Sequence, residues 1–146
     1  MSVNQGGRYT MQFERDDVEL LEISWLKPHE EVHPKKVIEL FEMTLRWGGY
    51  TKPLLIDRET GTILDGHHRY EVGKKLELNY IPAIVIDYLN DDRVGVTTWP
   101  NSGLEKIEKI DVINMALSEK LFPPKTSKHS LSEYLPPIMI KIEDLR

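Results

Sequence analysis

The spacing of apolar residues in the first half of the chain predicts a strand, a helix and a hairpin. Residues 18–26 mix apolar and acidic side chains as a half-buried strand does. Over residues 34–47 the apolar positions recur at helical spacing, with a proline in the first turn and two glycines after the last. Short apolar runs at residues 53–57 and 62–64 flank a polar loop that ends in glycine, which predicts a hairpin.

The second half of the chain continues the alternation. A helix is predicted over residues 66–79, and residues 81–88 form a mostly apolar run that predicts a buried strand. A further strand is predicted over residues 94–99. One apolar stripe at helical spacing covers residues 104–121 and ends before two prolines, which break helices. The tail alternates apolar and polar residues over 138–142, as a strand does.

This order of elements and a length of 146 residues predict one compact α+β domain over residues 1–146, with residues 1–17 as an extended N-terminal segment. Apolar residues make up 40% of the chain and charged residues 29%, which is an ordinary globular balance. No apolar run approaches the roughly 20 residues that cross a bilayer, and no apolar stretch follows a basic start. We therefore expect a cytoplasmic protein without a membrane partner.

Cysteine content and net charge exclude or disfavour several classes of function. The chain has no cysteine, which excludes disulfides, thiolate metal sites and cysteine nucleophiles. Its formal net charge of −5 argues against general nucleic-acid binding, because that binding depends on Lys and Arg neutralising phosphates. A local basic site remains compatible with this balance.

A strand end, a glycine and a helix start come together at Asp65-Gly66-His67-His68-Arg69. The free N–H groups in the first turn of a helix form an anion site. Arg69 offers a fork of five donors to phosphate oxygens, and the two histidines can donate further hydrogen bonds. Asp65 would repel a phosphate, so we expect it to orient donors or to help hold Mg²⁺. The alternative interpretation is an ordinary helix start followed by polar surface residues.

A second polar cluster, at residues 27–33, lies between the first strand and the first helix, where rigid neighbours often hold catalytic groups. Its two adjacent carboxylates are Glu30 and Glu31, and either could accept a hydroxyl proton as the oxygen attacks phosphorus. Alternatively, both carboxylates only complement the dipole of the helix that follows.

A third cluster follows Pro123-Pro124, where residues 125–129 all carry hydrogen-bond donors. That composition suits contacts with phosphate by ammonium, hydroxyl and backbone N–H groups. A solvated basic loop would have the same composition.

At the end of a predicted strand, Thr98 precedes Trp99, and this tryptophan either walls a small pocket or caps the core. Four further candidates, the histidines His29, His33, His67 and His68, lack the spacing of a zinc site, so no metal ligands are predicted among them.

These motifs resemble a known superfamily. Residues 26–88 are similar to the ParB/sulfiredoxin-like fold, whose signature is a Gly-x-His-Arg-type turn that binds nucleotide phosphate, here Gly66-His67-His68-Arg69. Together with the clusters at residues 27–32, 97–99 and 123–129, in that order, the turn resembles the free L-serine kinases of the superfamily. The resemblance covers about residues 18–142, and it implies a mixed sheet flanked by helices.

The resemblance also implies an activity and a set of roles. The enzyme would make O-phospho-L-serine from L-serine and a nucleotide, ATP by default or ADP, with Mg²⁺. Glu30 would be the base for the serine hydroxyl, and Asp65 would sit beside the reacting phosphate. Trp99, with Thr98, would line the serine pocket. The residues implied to hold the nucleotide are Gly66, His67, His68, Arg69, Lys125, Thr126, Ser127, Lys128 and His129. Lys128 stands where arginine is expected, and it is a less bidentate donor.

Three other classes share parts of this pattern. A sulfiredoxin-type reductase needs a cysteine, which the composition excludes. A ParB-like partition protein or nuclease would bind DNA, and a partition protein should carry a helix-turn-helix after the nucleotide part. Only one helical stretch follows here, in an acidic chain. A module that senses a nucleotide or serine without turnover is the third class, and a turnover assay would separate it.

Overall fold

The structure, a computed structural model, describes residues 12–146. Its regular elements run in the order β1 (Val18–Glu22), α1 (Pro34–Trp47), β2 (Gly49–Tyr50), β3 (Leu54–Asp57), β4 (Ile63–Asp65), α2 (His67–Lys75), β5 (Tyr80–Ile86), β6 (Val94–Thr98), α3 (Lys109–Leu117), β7 (Ser127–Leu131) and β8 (Ile140–Lys141). Short 3-10 turns lie at Arg15–Asp17, Ile23–Trp25 and Ile142–Leu145. Within the described residues, no helix has the length and apolar character needed to cross a membrane.

A mixed four-stranded sheet with the strand order β1-β5-β3-β4 forms the centre of the fold. Strand β5 pairs in parallel with β3 and antiparallel with β1, while β3 and β4 form the predicted hairpin. Because side chains alternate along a strand, β3 contributes to a core on each face. Leu54 packs in the same cluster as Tyr70 of α2, whereas Leu55 packs with Val112 of α3.

Two small ribbons complete the fold. In one of them β6 and β7 pair antiparallel, with Thr98 opposite Ser127. In the other, β2 pairs with β8, which joins the C-terminal tail to the end of α1. The first ribbon positions the functional site, because it brings the polar residues that follow Pro123-Pro124 beside Trp99.

Several predicted elements are confirmed. The helix predicted over residues 34–47 is α1, and it ends at Gly48, whose φ of 81° is the left-handed conformation that glycine adopts at helix ends. In the hairpin loop, Asp57 accepts hydrogen bonds from the backbone N–H and the hydroxyl of Thr60 at 3.0 and 2.6 Å. The strand predicted over residues 81–88 is β5. The α+β class with a mixed sheet flanked by helices is likewise confirmed.

Other elements are shorter than predicted. Strand β1 ends at Glu22, because its pairing with β5 ends there and a 3-10 turn takes the chain away. The helix predicted over residues 66–79 ends at Lys75, shortly before Glu77 turns left-handed at a φ of 56°. The tail predicted as a strand pairs only over Ile140–Lys141.

The long helix predicted over residues 104–121 is also wrong in length. It begins only at Lys109, where a capping box between Glu108 and Asp111 satisfies the first backbone donors. It ends at Leu117, before Glu119 adopts a left-handed φ of 64°. Of the apolar residues that precede α3, Ile107 is buried as part of a loop, whereas Leu104 is 43% exposed.

The N-terminal prediction is partly testable. Residues 1–11 of the predicted extended segment lie outside the described residues. Within the remainder, Phe13 is buried in the core cluster beside α3, and Arg15–Asp17 forms a 3-10 turn. The described part of this segment therefore packs against the domain and includes a 3-10 turn.

Candidate functional site

A cavity of about 450 Å³ lies where four segments of the chain meet. The segments are the connection between β1 and α1 with the first turn of α1, the turn from β4 into α2, the residue after β6, and the approach to β7 with its first residues. The side chains and backbone that line the cavity are, in that order, Glu30, Glu31, His33 and Lys36; Leu64, Asp65, Gly66, His67, His68 and Arg69; Trp99; and Pro124, Lys125, Ser127, Lys128 and His129.

The turn from β4 into α2 depends on glycine. Gly66 has a φ of 110°, and a Cβ atom there would lie 2.6 Å from the side chain of Leu54 and 3.0 Å from Nη2 of Arg69. No side chain caps the N-terminus of α2. The first-turn N–H groups of this nine-residue helix therefore have no side-chain acceptor, so an anion in the cavity would find both these donors and a favourable dipole.

The guanidinium of Arg69 is held at the same turn. Its Nη2 donates to the carbonyl of Pro53 at 3.1 Å and contacts Oδ2 of Asp65 at 3.4 Å. The side chain is only 19% exposed, and its Nε is buried without a hydrogen-bond partner in the described structure. Asp65 also lies 4.0 Å from the ammonium of Lys52. Arg69 is thus oriented by neutral and acidic neighbours while part of its donor capacity is unused.

The two histidines of the turn accept hydrogen bonds from the neighbouring segment. Nε2 of His67 accepts the backbone N–H of His29 at 3.2 Å, and Nε2 of His68 accepts that of His33 at 3.3 Å. Burial lowers the pKa of His67 well below its usual value, and burial together with Lys36 lowers the pKa of His68. Neutral rings that accept at Nε2 carry their proton on Nδ1. The Nε2 atoms of His67 and His68 therefore do not donate to phosphate, contrary to the expectation from the sequence. They instead join α2 to the segment that carries Glu30.

The carboxylate of Glu30 is held by the approach to β7. Its Oε1 accepts from the backbone N–H and the hydroxyl of Ser127, both at 2.8 Å, and its Oε2 accepts from the N–H of Lys125 at 3.1 Å. The adjacent backbone is also paired, because the N–H of Glu31 donates to the carbonyl of Phe122. Glu31 itself is exposed. The two adjacent acids therefore differ: Glu30 is fixed within the site, and Glu31 lies at its solvent side.

A group of neutral histidines lies beneath the cavity. His29 is 1% exposed, its Nε2 lies 2.9 Å from Oγ of Ser127, and its ring centroid lies 4.6 Å from that of His67 and 5.7 Å from that of His129. Burial, with His129 nearby, lowers the pKa of His29 to about 3. Burial lowers the pKa of His129 to about 4, and Nε2 of that ring contacts the hydroxyl of Tyr88 at 2.8 Å. Sequence patterns gave no sign of this cluster, because its members come from three separate segments.

The side chain of Trp99 makes one hydrogen bond in the cavity wall and lies close to the ammonium groups of two lysines. Its indole N–H donates to the carbonyl of Ser127 at 3.1 Å. The ammonium of Lys128 lies 4.8 Å from the indole ring centroid and that of Lys125 lies 5.7 Å from it, which is within the range of cation–π attraction. Trp99 therefore lines the cavity, and both lysines lie within cation–π distance of its ring.

Cations outnumber carboxylates around the cavity, although the whole chain has a net charge of −5. The cations are Lys36, Arg69, Lys125 and Lys128, and the carboxylates are Glu30, Glu31 and Asp65. This local excess favours an anionic ligand. Lys36 did not stand out in the sequence, because a lysine in a helix usually belongs to a solvated face.

The structure brings together most of the predicted site residues. Two do not line the cavity. Thr126 is buried, and its hydroxyl donates to the carbonyl of Pro123 at 2.7 Å, so it stabilises the turn before β7. Thr98 lies within β6 opposite Ser127, and only its neighbour Trp99 reaches the cavity. A nucleotide contact for Thr126 and a substrate contact for Thr98 therefore have no support in the geometry.

No protein-family model matches the chain. The chain is, however, similar in sequence to several individual proteins. The chain is 32% identical over 103 residues to the ADP-dependent L-serine kinase SerK of Thermococcus kodakarensis, an alignment that covers 68% of this chain and 42% of that protein. It is 33% identical over 95 residues to an ATP-dependent L-serine kinase of Staphylothermus marinus, covering 62% and 37% of the two chains. The alignments thus span about two fifths of the length of these curated relatives.

A shorter relative and a solved structure complete the comparison. The chain is 30% identical over 74 residues to the ParB-like nuclease domain-containing protein YnaK of Escherichia coli, covering 51% of this chain and 84% of that one. A free serine kinase solved in complex with AMP has the same fold, with a TM-score of 0.78, 19% identity and coverage of 96% and 98% of the two chains. These similarities confirm the predicted resemblance, and the chain belongs to the ParB-like family with the ParB/sulfiredoxin-like fold.

Proposed function

We propose that this chain transfers a phosphoryl group from a nucleotide to the hydroxyl of free L-serine and so makes O-phospho-L-serine. The observation that carries the proposal is the cavity itself. It combines an uncapped helix N-terminus, four cations and a fixed carboxylate, and phosphoryl transfer asks mainly for such positioning and charge stabilisation. The L-serine kinases among its relatives favour serine as the acceptor.

The nucleotide phosphates would occupy the side of the cavity formed by α2 and β7. Backbone N–H groups from Gly66 to Arg69 would bind one part of the phosphate chain, together with the guanidinium of Arg69. Lys125 and Lys128, held against Trp99, would neutralise charge from the opposite side. His129 borders the same space. This arrangement supports the predicted nucleotide site without the contact predicted for Thr126.

Glu30 is the proposed base. Each oxygen of an ionised carboxylate can accept two hydrogen bonds, and Oε2 has one protein donor where Oε1 has two. Oε2 is therefore the atom proposed to take the serine proton. The serine oxygen then forms a bond to the terminal phosphorus, the bond from that phosphorus to the rest of the nucleotide breaks, and the nucleotide leaves with one phosphate fewer. Trp99 would wall the acceptor side of the pocket.

Magnesium would be held at Asp65. Mg²⁺ binds proteins through one or two carboxylates and takes its remaining ligands from substrate phosphates and water. The half-exposed carboxylate of Asp65, beside the Gly66 turn, fits that pattern. Within residues 12–146 no group of three or more His, Asp or Glu side chains could hold a metal ion by itself, which is compatible with a metal that arrives with the nucleotide. Bound Mg²⁺ would neutralise charge that develops on the phosphates.

The cavity is compatible with either ATP or ADP as the phosphoryl donor. One relative is named an ADP-dependent kinase and another an ATP-dependent kinase. Four cations suit either phosphate chain. We propose ATP as the default donor and ADP as the alternative, and a direct comparison of the two decides between them.

The test is to incubate the protein with L-serine, Mg²⁺ and, separately, ATP, ADP or pyrophosphate, and to follow phosphoserine by phosphorus NMR. We expect a phosphoserine signal with at least one nucleotide. If the folded protein produces none with any donor, the proposed activity is wrong.

Glu30→Gln, with Glu31→Gln as the matched control, assigns the base. Because the amide cannot take a proton, we expect Glu30→Gln to lose most phosphoserine formation, by about 10²–10⁴-fold, while nucleotide binding persists. Glu31→Gln should keep near wild-type turnover, since Glu31 is exposed and accepts none of the bonds that hold Glu30. The reverse pattern would transfer the role to Glu31.

A second candidate is nuclease activity, which the description of the Escherichia coli relative as a ParB-like nuclease domain-containing protein favours. The acidic net charge of the chain opposes tight DNA binding. Cleavage of labelled DNA in the same buffer, with no phosphoserine formed, would support this candidate over the kinase.

A further inference from the structure

Ser127 bridges Glu30 and His29 in a way that fixes the direction of each hydrogen bond. An ionised carboxylate can only accept, so the single hydroxyl proton of Ser127 points to Oε1 of Glu30 at 2.8 Å. The contact of 2.9 Å between Oγ of Ser127 and Nε2 of His29 is then assigned to an N–H of the imidazole, the tautomer in which Nδ1 of His29 is buried without a hydrogen-bond partner. The order of donation is His29 to Ser127 to Glu30.

The surroundings of His29 and Ser127 hold this series of hydrogen bonds in place. His29 is 1% exposed and Ser127 is 8% exposed, so little of either group is open to water. The carbonyl of His29 accepts the N–H of Phe122 at 2.8 Å, and its own N–H donates to His67 at 3.2 Å. Hydrogen bonds in series polarise one another in a region of low dielectric. The hydroxyl of Ser127 is therefore held as a donor to Glu30 and is not free to rotate toward the nucleotide.

We propose that Ser127 and His29 are positioning residues for the phosphoryl transfer, which orient the carboxylate of Glu30 and stabilise its ionised form so that Oε2 faces the acceptor hydroxyl. The inference rests on the proposed function. It assigns Ser127 a role different from the nucleotide contact that the sequence suggested. It also gives a role to a buried histidine that does not line the cavity.

Other charged or titratable groups line the same cavity as Glu30 and remain in place when Ser127 is changed. They are Glu31, His33 and Lys36 from the same segment and the start of α1, Asp65, His67, His68 and Arg69 from the β4–α2 turn, and Lys125, Lys128 and His129 from the approach to β7 and β7 itself. A change in pH dependence that appears only on loss of the Ser127 hydroxyl therefore reports the hydrogen bond and not these groups.

The first experiment compares Ser127→Ala with Ser130→Ala, an exposed serine in the same strand. We expect Ser127→Ala to lower kcat by about tenfold or more, a part of the usual contribution of acid–base catalysis. The acid limb of kcat/KM for serine should move to higher pH, because the ionised carboxylate loses a donor. Nucleotide Kd should change less than about threefold, which is under 0.7 kcal/mol. Ser130→Ala should match the wild type throughout.

Two results would overturn the proposal in this experiment. One is an unchanged kcat in Ser127→Ala. The other is a lower kcat with the acid limb in its wild-type place, which is what a merely structural role of Ser127 would produce.

The second experiment uses the unmodified protein, so it stands even where Ser127→Ala fails to fold. Long-range proton–nitrogen NMR spectra of imidazoles distinguish the two neutral tautomers. We expect His29 to be neutral at pH 7 with its proton on Nε2, in contrast to His67 and His68, whose Nε2 atoms accept. A proton on Nδ1 of His29 would contradict the proposal. The spectra need no turnover, so their result is independent of whether phosphoserine forms.

Discussion

At the scale of single residues, the side chains of the β4–α2 turn have two different roles. Some make hydrogen bonds within the protein, and others are available to a ligand. Nε2 of His67 and Nε2 of His68 are occupied by backbone N–H groups of the segment that carries Glu30. Arg69, by contrast, lines the cavity with a charged guanidinium, which Nη2 anchors to the Pro53 carbonyl. Affinity for phosphate should therefore depend on Arg69 more than on the two rings.

Replacing Arg69 by alanine tests that expectation. A charge-assisted hydrogen bond contributes roughly 1.5–3 kcal/mol, so we expect Arg69→Ala to weaken nucleotide binding by about that amount in calorimetry. The matched control is Lys52→Ala, because the ammonium of Lys52 also contacts Asp65, at 4.0 Å, but does not line the cavity. Equal affinity of Arg69→Ala and wild type, with folding intact, would place the phosphates elsewhere.

At the scale of elements, the sequence predicted helices and strands well where periodicity was strong and failed where tertiary contacts decide. Helix α1 matches its prediction at both ends, because a proline and a glycine mark them. Strand β7 was missed, since its residues, Ser-Lys-His-Ser-Leu, have no apolar alternation and become a strand only by pairing with β6. The capping box at Glu108 was present in the sequence but lay inside a longer apolar stripe.

The β4–α2 turn itself can be tested through its glycine. Gly66→Ala combines left-handed backbone strain with a Cβ atom 2.6 Å from Leu54, whereas Gly103→Ala has a similar φ of 87° and open space around it. Left-handed backbone strain costs about 1–2 kcal/mol at either site, and overpacking adds roughly 1–3 kcal/mol at Gly66 alone. We expect urea unfolding to show the larger loss for Gly66→Ala. Equal losses in both variants would mean that the turn has room to relax.

At the scale of the whole molecule, the cavity depends on contacts between residues that are far apart in sequence. Each motif could be found on its own, because a glycine at a helix start or a run of donors has a known chemical meaning. Their junctions could not be found. The bonds from Ser127 to Glu30 and from His29 to His67 join segments about 97 and 38 residues apart, and no local pattern encodes which nitrogen of a ring accepts. The sequence therefore predicted the composition of the site better than its internal architecture.

The buried histidines make the stability of the whole fold depend on pH. In the folded state the pKa of His29 is lowered to about 3 and that of His129 to about 4, mainly by burial, and that of His67 is lowered as well. The unfolded chain binds protons on these rings near pH 6.5, so it holds more protons than the folded chain from that pH downward. Stability is therefore fully present above about pH 6.5 and is lost as the pH falls toward the folded pKa values, by about 1.4 kcal/mol per pH unit for each ring. Urea unfolding at pH 7.5, 6.5, 5.8 and 5.2 should show a free energy of unfolding that declines over the last three values. A free energy that stays level down to pH 5.2 would mean that these rings are already charged in the folded protein, and the neutral state expected for His29 at pH 7 would then be wrong.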